Sequence, residues 1–178
     1  MVIAAATAGL AALLAYDFWT IGALRGRIFG AGFRLGLGLW ALATVWAIAG
    51  SAAGVRLWRL VCFGLPALGC AGLEIYLLFF ALPRDTYAEP ERRRRVCDSG
   101  AYGLCRHPGF WSLAGVYLFL YLALPSRQML LCAALLTGYN LLYIAVQDMA
   151  IFDRIVTDYA DYRARVPFLV PKCGRRGA

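Results

Sequence analysis

Long apolar stretches, broken by short arginine-bearing or turn-forming interruptions, make up most of the chain. Five such segments stand out, at 2–24 (containing Asp17), 35–55, 60–83 (containing Glu74), 108–126 and 128–147, each 19 to 24 residues long. A helix needs about 20 apolar residues to cross the hydrocarbon of a bilayer. In lipid, only helices and closed barrels satisfy every backbone polar group. The pattern therefore predicts an all-α polytopic membrane protein with five transmembrane helices. Little more than Arg127 separates the last two segments, so they are expected to form a tight antiparallel hairpin, with Pro125 and Ser126 as its turn. The first segment reads as a retained span, because no Lys or Arg precedes it and Asp17 interrupts its apolar run. Without internal repeats or low-complexity linkers, residues 1–178 read as one domain.

Composition sharpens this picture. Of 178 residues, 62% are hydrophobic and 16% charged, against about 45–50% and about 25% in soluble proteins, which argues against a water-soluble globule. The formal net charge of +8 arises from 18 Lys+Arg against 10 Asp+Glu. In a soluble protein that balance would point to nucleic acid, but here the basic residues sort by loop. Arg25, Arg27 and Arg34 follow the first segment, Arg84, Arg92 to Arg95 and Arg106 the third, and Arg154, Arg163, Arg165, Lys172, Arg175 and Arg176 the fifth. Only Arg56, Arg59 and Arg127 remain for the other side. The positive-inside rule then predicts the N-terminus outside and the C-terminus in the cytoplasm. On this topology the ERRRR run at 91–95 faces anionic membrane lipid, and no nucleic-acid partner is expected. The polar segments 84–107 and 148–178 both fall on the cytoplasmic face, where any chemistry on a water-soluble cosubstrate is expected.

Cysteine usage narrows the options further. The six cysteines show no C-x-x-C spacing and His107 is the single histidine, so no metal site is expected, and disulfides are not expected either.

Two segments carry candidate chemistry. In SGAYGLCRHPGFWS, at 99–112, Pro108 suits the first turn of a helix and places Arg106 and His107 at its mouth. Unpaired N–H groups there, the helix dipole and Arg106 make a site for a carboxylate or phosphate. The plainer alternative is that Arg106 anchors the span at the headgroups while His107 caps it. In QDMAIFDRIVTDYADYRARVPFLVP, at 147–171, a continuing helical stretch places Tyr159 and Tyr162 on one face with Ile155 and Val166. That face lies against the membrane or the loop above it, and ordinary interfacial packing of tyrosines is the alternative. Gly30, Gly32 and Gly36 loosely match a dinucleotide loop, but with no strand before them they read as close helix packing.

Taken together, the two segments resemble a family. The pattern G-x-Y-x-x-x-R-H-P-x-(aromatic), an apolar hairpin, an acidic pair and Y-x-x-Y-x-x-x-V-P resembles that of the integral-membrane methyltransferases typified by isoprenylcysteine carboxyl methyltransferase and phosphatidylethanolamine N-methyltransferase. Gly100, Tyr102, Arg106, His107, Pro108 and Phe110 match its first half, and Asp148, Tyr159, Tyr162, Val166 and Pro167 its second. The resemblance covers about the last 80 residues, with the motifs inside 96–171. Departures are Gln147 beside Asp148 where the family has a glutamate pair, Gly109 and Phe110 after the proline, and NLLYIAV at 140–146, which lacks the arginine and glutamate of the carboxyl methyltransferases.

The resemblance implies S-adenosylmethionine as cofactor and a lipophilic methyl acceptor drawn from the bilayer. It places cofactor contacts at the backbone of 96–100, with Val96, Cys97 and Gly100 foremost, at Tyr102, His107, Pro108 and Phe110, and at Gln147 with Asp148. Arg106 would hold the methionine carboxylate, aromatic faces of Tyr102, Phe110 or Trp111 the sulfonium, and Asp148 the amino group or ribose hydroxyls. Arg106, His107 and Asp148 are the expected catalytic residues. A carboxylate acceptor needs no base, whereas a lipid amine must lose a proton, for which His107 or Asp148 would serve. Glu74 and Asn140 are the candidate substrate contacts. Asp17 and Glu74 lie at similar depth, about 10–14 Å below the cytoplasmic face at about 1.5 Å per residue, and are expected to share a polar cavity or to pair structurally. Competing readings are a phospholipid amine N-methyltransferase, an NADPH-dependent sterol-type reductase with a related Arg-His-Pro segment, and a non-catalytic membrane scaffold.

Overall fold

A computed structural model describes residues 1–24, 26–81 and 94–171. The basic residues Arg25, Arg84, Arg92, Arg93, Lys172, Arg175 and Arg176, together with Cys173, lie outside the described residues. Helix α1 (Val2–Thr20) is followed by a short 3-10 turn (Arg27–Ala31) and by α2 (Gly32–Ser51). Helix α3 (Leu57–Phe79) contains a π turn at Leu60–Gly64. Helix α4 (Pro108–Ala123) leads to α5 (Arg127–Ile155), and the short α6 (Tyr159–Arg165) closes the described chain. Four of these helices, the second running as Ile28–Ser51 when its leading turn is counted with α2, are long and apolar enough to cross a membrane: Val2–Thr20, Ile28–Ser51, Leu57–Phe79 and Arg127–Ile155. The protein is thus a largely helical, membrane-embedded molecule.

Helix α4 takes up 16 residues of the apolar segment at 108–126 and stops at Ala123. Pro125 cannot donate a helical hydrogen bond and biases the residue before it away from helix. Leu124 accordingly leaves the helix with ψ 65°. Ser126 then caps α5, its hydroxyl accepting from the Met129 N–H at 2.9 Å. Its hydroxyl also meets that of Ser51, at the end of α2, at 2.6 Å.

Helix α1 packs against α2 and α5, and α4 packs between α3 and α5. The α1–α2 crossing depends on small residues: a Cβ on Gly36 would fall 2.8 Å from the Gly9 carbonyl oxygen, and one on Gly32 would fall 2.6 Å from that of Ala12. The glycines read as packing residues therefore let the two backbones touch. Trp40 closes the same crossing by donating its indole N–H to the Ala6 carbonyl at 3.1 Å. Leu13, Ala43, Ala47, Met129, Cys132 and Leu136 are buried between α1, α2 and α5.

The tail departs from one continuous helix. Helix α5 loosens into a π turn at Gln147–Ile151 and ends at Ile155. Val156 and Thr157 then pair in parallel with Arg94 and Arg95, a two-residue strand pairing that the apolar pattern does not announce. Asp158 adopts a left-handed conformation (φ 60°), which turns the chain into α6. Val166, preceding Pro167, is extended, and the remaining residues run back across the entrance of α4.

Candidate functional site

Where the start of α4 meets the returning tail, the two motif segments interlock. The Arg106 N–H donates to the Pro167 carbonyl at 2.9 Å, and the His107 N–H to that of Phe168 at 3.3 Å. The Trp111 indole N–H reaches the Leu169 carbonyl at 2.8 Å. Three successive carbonyls of the tail are thus taken by the mouth and first turn of α4.

Side chains complete the joint. Arg106 grips Asp148 in a fork, Nε to Oδ1 at 2.8 Å and Nη2 to Oδ2 at 2.9 Å. Its Nη1 donates to the carbonyls of Val166 at 2.8 Å and Arg163 at 2.9 Å, and Phe168 lies 5.6 Å from the guanidinium carbon. Asp148, only 5% exposed, also accepts from the Tyr159 hydroxyl at 2.5 Å and faces His107 Nε2 at 3.3 Å. A buried carboxylate is tolerated only when its lone pairs are satisfied, and here four donors surround it. The His107 ring stacks on Phe152 at 6.0 Å and meets Phe168 edge-on at 4.9 Å. Burial, and next the hydrogen bond to Asp148, push the Tyr159 hydroxyl well above the usual phenol range. Burial likewise raises Tyr162, whose hydroxyl donates to the Tyr102 carbonyl at 2.7 Å, and the Cys105 thiol.

This geometry gives Arg106 and Asp148 partners within the chain. Arg106 does not offer a free guanidinium to a ligand carboxylate, and Asp148 does not face outward to a ligand amine: they bind each other, because neither charge could be buried alone. The helix mouth is equally engaged. The His107 N–H is bonded to the tail, and the carboxylate of Glu74 lies against the first turn of α4, about where a Cβ on Gly109 would stand 3.3 Å from Oε2. Ser112 Oγ hydrogen-bonds Glu74 there. The carboxyl group beside this first turn is therefore carried by α3 itself.

Other expected residues scatter. Tyr102 donates its hydroxyl to the Leu77 carbonyl at 3.1 Å, tying the 3-10 turn Gly100–Gly103 to α3. Gly100 has φ +60°, a conformation that glycine adopts freely. Pro108 occupies the first turn of α4, as its ring requires. Phe110 packs into the main core and edge-on against Trp111 at 5.4 Å. Gln147 turns away from the joint and donates to Asp17 Oδ2 at 2.9 Å. Asp17 and Glu74 consequently serve different helix contacts, α1 with α5 and α3 with α4, in place of one shared cavity. Asn140 is buried on α5, about two turns from Gln147.

Val96 and Cys97 follow the strand pairing. Val96 packs on the buried cluster of Tyr159, Tyr162 and Val166, so this tyrosine face meets the preceding loop. The Cys97 thiol lies 3.7 Å from the Ser99 hydroxyl. Beside them, a depression of about 240 Å³ is lined by Val96, Asp98, Thr157, Asp158 and Arg165. Arg165 reaches Asp98 at 3.4 Å across exposed surface. Of these five, Val96 and Asp98 fall within the 96–100 stretch expected from the sequence, though only for backbone contacts. The others share no spacing motif, and the β-branched pair Val156 and Thr157 ahead of an aspartate is the signal that could have marked the turn.

Comparison of the chain with protein-family models, curated proteins and solved structures finds no match.

Proposed function

We propose that the protein is an S-adenosylmethionine-dependent membrane methyltransferase acting on a lipophilic acceptor at the cytoplasmic face. In this reading α4 is a fifth crossing, antiparallel to α5, with the N-terminus outside. One observation carries the proposal: the two halves of the family-like motif, 42 residues apart, are joined by the Arg106–Asp148 fork and by backbone bonds into one unit at one end of the helices.

The donor set beside that unit suits the cofactor. Asp158 and the exposed Asp98–Arg165 pair bring carboxylate and guanidinium groups suited to an ammonium, a carboxylate or ribose hydroxyls, and Thr157 adds a hydroxyl. When bound, S-adenosylmethionine supplies an electrophilic methyl group. Arg106 and Asp148 act as positioning residues that hold the tail over α4, while Phe152 and Phe168 cover the His107 ring and shield the joint from water.

Glu74 favours a second form of this reading, in which the acceptor is a phospholipid amine. A carboxylate within a span, half-buried against α4, attracts an ammonium and repels an acceptor carboxylate. Replacing Glu74 with Gln tests the point: lost methylation with intact folding supports a substrate contact, and unchanged activity removes Glu74 from the site.

Calorimetric titration of the purified chain in detergent separates the classes. Saturable binding of S-adenosylmethionine without NADPH binding is expected. Binding of NADPH alone would establish the reductase reading, and binding of neither would favour a scaffold. Isotope-labelled cofactor with native lipid extract would then identify the methylated product by mass.

A further inference from the structure

The opposite end of α4 carries a second polar feature. A depression of about 360 Å³ is lined by Ser51, Ala53, Gly54, Val55, Arg56, Arg59 and Pro125. It lies where α2 ends, α3 begins and α4 turns into α5, so it sits about 24 Å of helix away from Arg106, counting 1.5 Å per residue.

Its charge is uncompensated. None of the ten acidic residues lies between Asp17 and Glu74 or between Asp98 and Asp148, so the segments forming this end contain arginine and no carboxylate. Among the described residues no ion pair engages Arg56 or Arg59. The Arg59 guanidinium carbon lies 5.3 Å from the Trp58 ring centre, which steadies it while leaving N–H groups free to donate. Trp58, 51% exposed, and Trp46, 47% exposed, flank this end at the level where tryptophans meet lipid headgroups.

We propose that this depression binds the phosphate of an anionic phospholipid, with Arg56 and Arg59 as its two donors. A planar guanidinium matches phosphate oxygens in pairs, and ends of membrane spans place that phosphate at headgroup depth. A diffuse basic surface would attract lipid equally through Arg127, which stands at the same end but does not line the depression.

The test uses the full chain in detergent, titrated with phosphatidylglycerol, phosphatidylcholine or inorganic phosphate and read by native mass spectrometry. Phosphatidylglycerol should be retained about tenfold better than phosphatidylcholine. The preference should vanish in Arg56→Gln with Arg59→Gln and persist in Arg127→Gln. Equal retention of the two lipids by the unaltered chain overturns the proposal whether or not the variants fold. So does an equal loss in Arg127→Gln, or displacement of the lipid by millimolar inorganic phosphate, which would mark a free-anion site.

Discussion

Arg106 shows how a residue type announces chemistry without announcing its partner. Arginine at the mouth of a helix is a reasonable anion ligand, and here the anion is Asp148 of the same chain. Removing one member of a buried pair leaves the other charge unpaired, at a cost of about 3–5 kcal/mol. Arg106→Ala should therefore lower the thermal unfolding midpoint in detergent sharply, and a midpoint unchanged from wild type would contradict the clamp. The tyrosines predict a pH response. Both hydroxyls are raised above the ordinary value of 10.0, so the folded protein keeps protons that the unfolded chain releases. Their contribution to stability is complete below about pH 10 and is lost as pH rises through the folded values. Stability should fall from about pH 10 upward, and Tyr159→Phe with Tyr162→Phe should flatten that fall, as followed by circular dichroism and tyrosinate absorbance.

At the scale of elements, the helices were legible within a few residues and their interruptions were not. Hydropathy marks where a span lies but not its last helical residue: with Pro125 in the turn, α4 does not run past Ala123. Nor did Asp148 stop α5: its charge is neutralised within the fold, and the chain passes through the π turn to Ile155. Such turns tend to occur at functional positions. The α1–α2 crossing gives a direct test. Gly36→Leu would force side-chain atoms into the Gly9 carbonyl and Leu13, an overpacking that costs about 1–3 kcal/mol or more. Ser126→Ala, which removes the α5 cap and the link to Ser51, should cost about 1 kcal/mol. Chemical or thermal unfolding of each variant in the same detergent measures both.

For the molecule as a whole, the Arg106 joint and the depression lined by Arg56 and Arg59 lie at opposite ends of α4. The orientation proposed from the loops predicts that Cys97 is labelled by a membrane-impermeant maleimide only after the membrane is opened, whereas a cysteine placed at Gly54 is labelled in intact cells. The reverse pattern would turn the molecule over and place the Arg106 joint outside. Much of the candidate site could be read from the sequence, since Arg106, His107, Asp148, Tyr159 and Tyr162 do gather at one joint. Asp158 and Arg165 could not, because a depression is made by chain segments that approach one another only after the tail has folded back.

The sequence by itself determined the helical, membrane-embedded class and the positions of the long spans, because lipid as a solvent leaves the backbone few alternatives. It also determined which short segments carry the polar chemistry, since those are the places where apolar periodicity fails. Only the tertiary structure decided which donor meets which acceptor. A side chain's partner depends on segments far away along the chain, as with Arg106 and Asp148, and on burial, which makes an unpaired charge too costly to leave free.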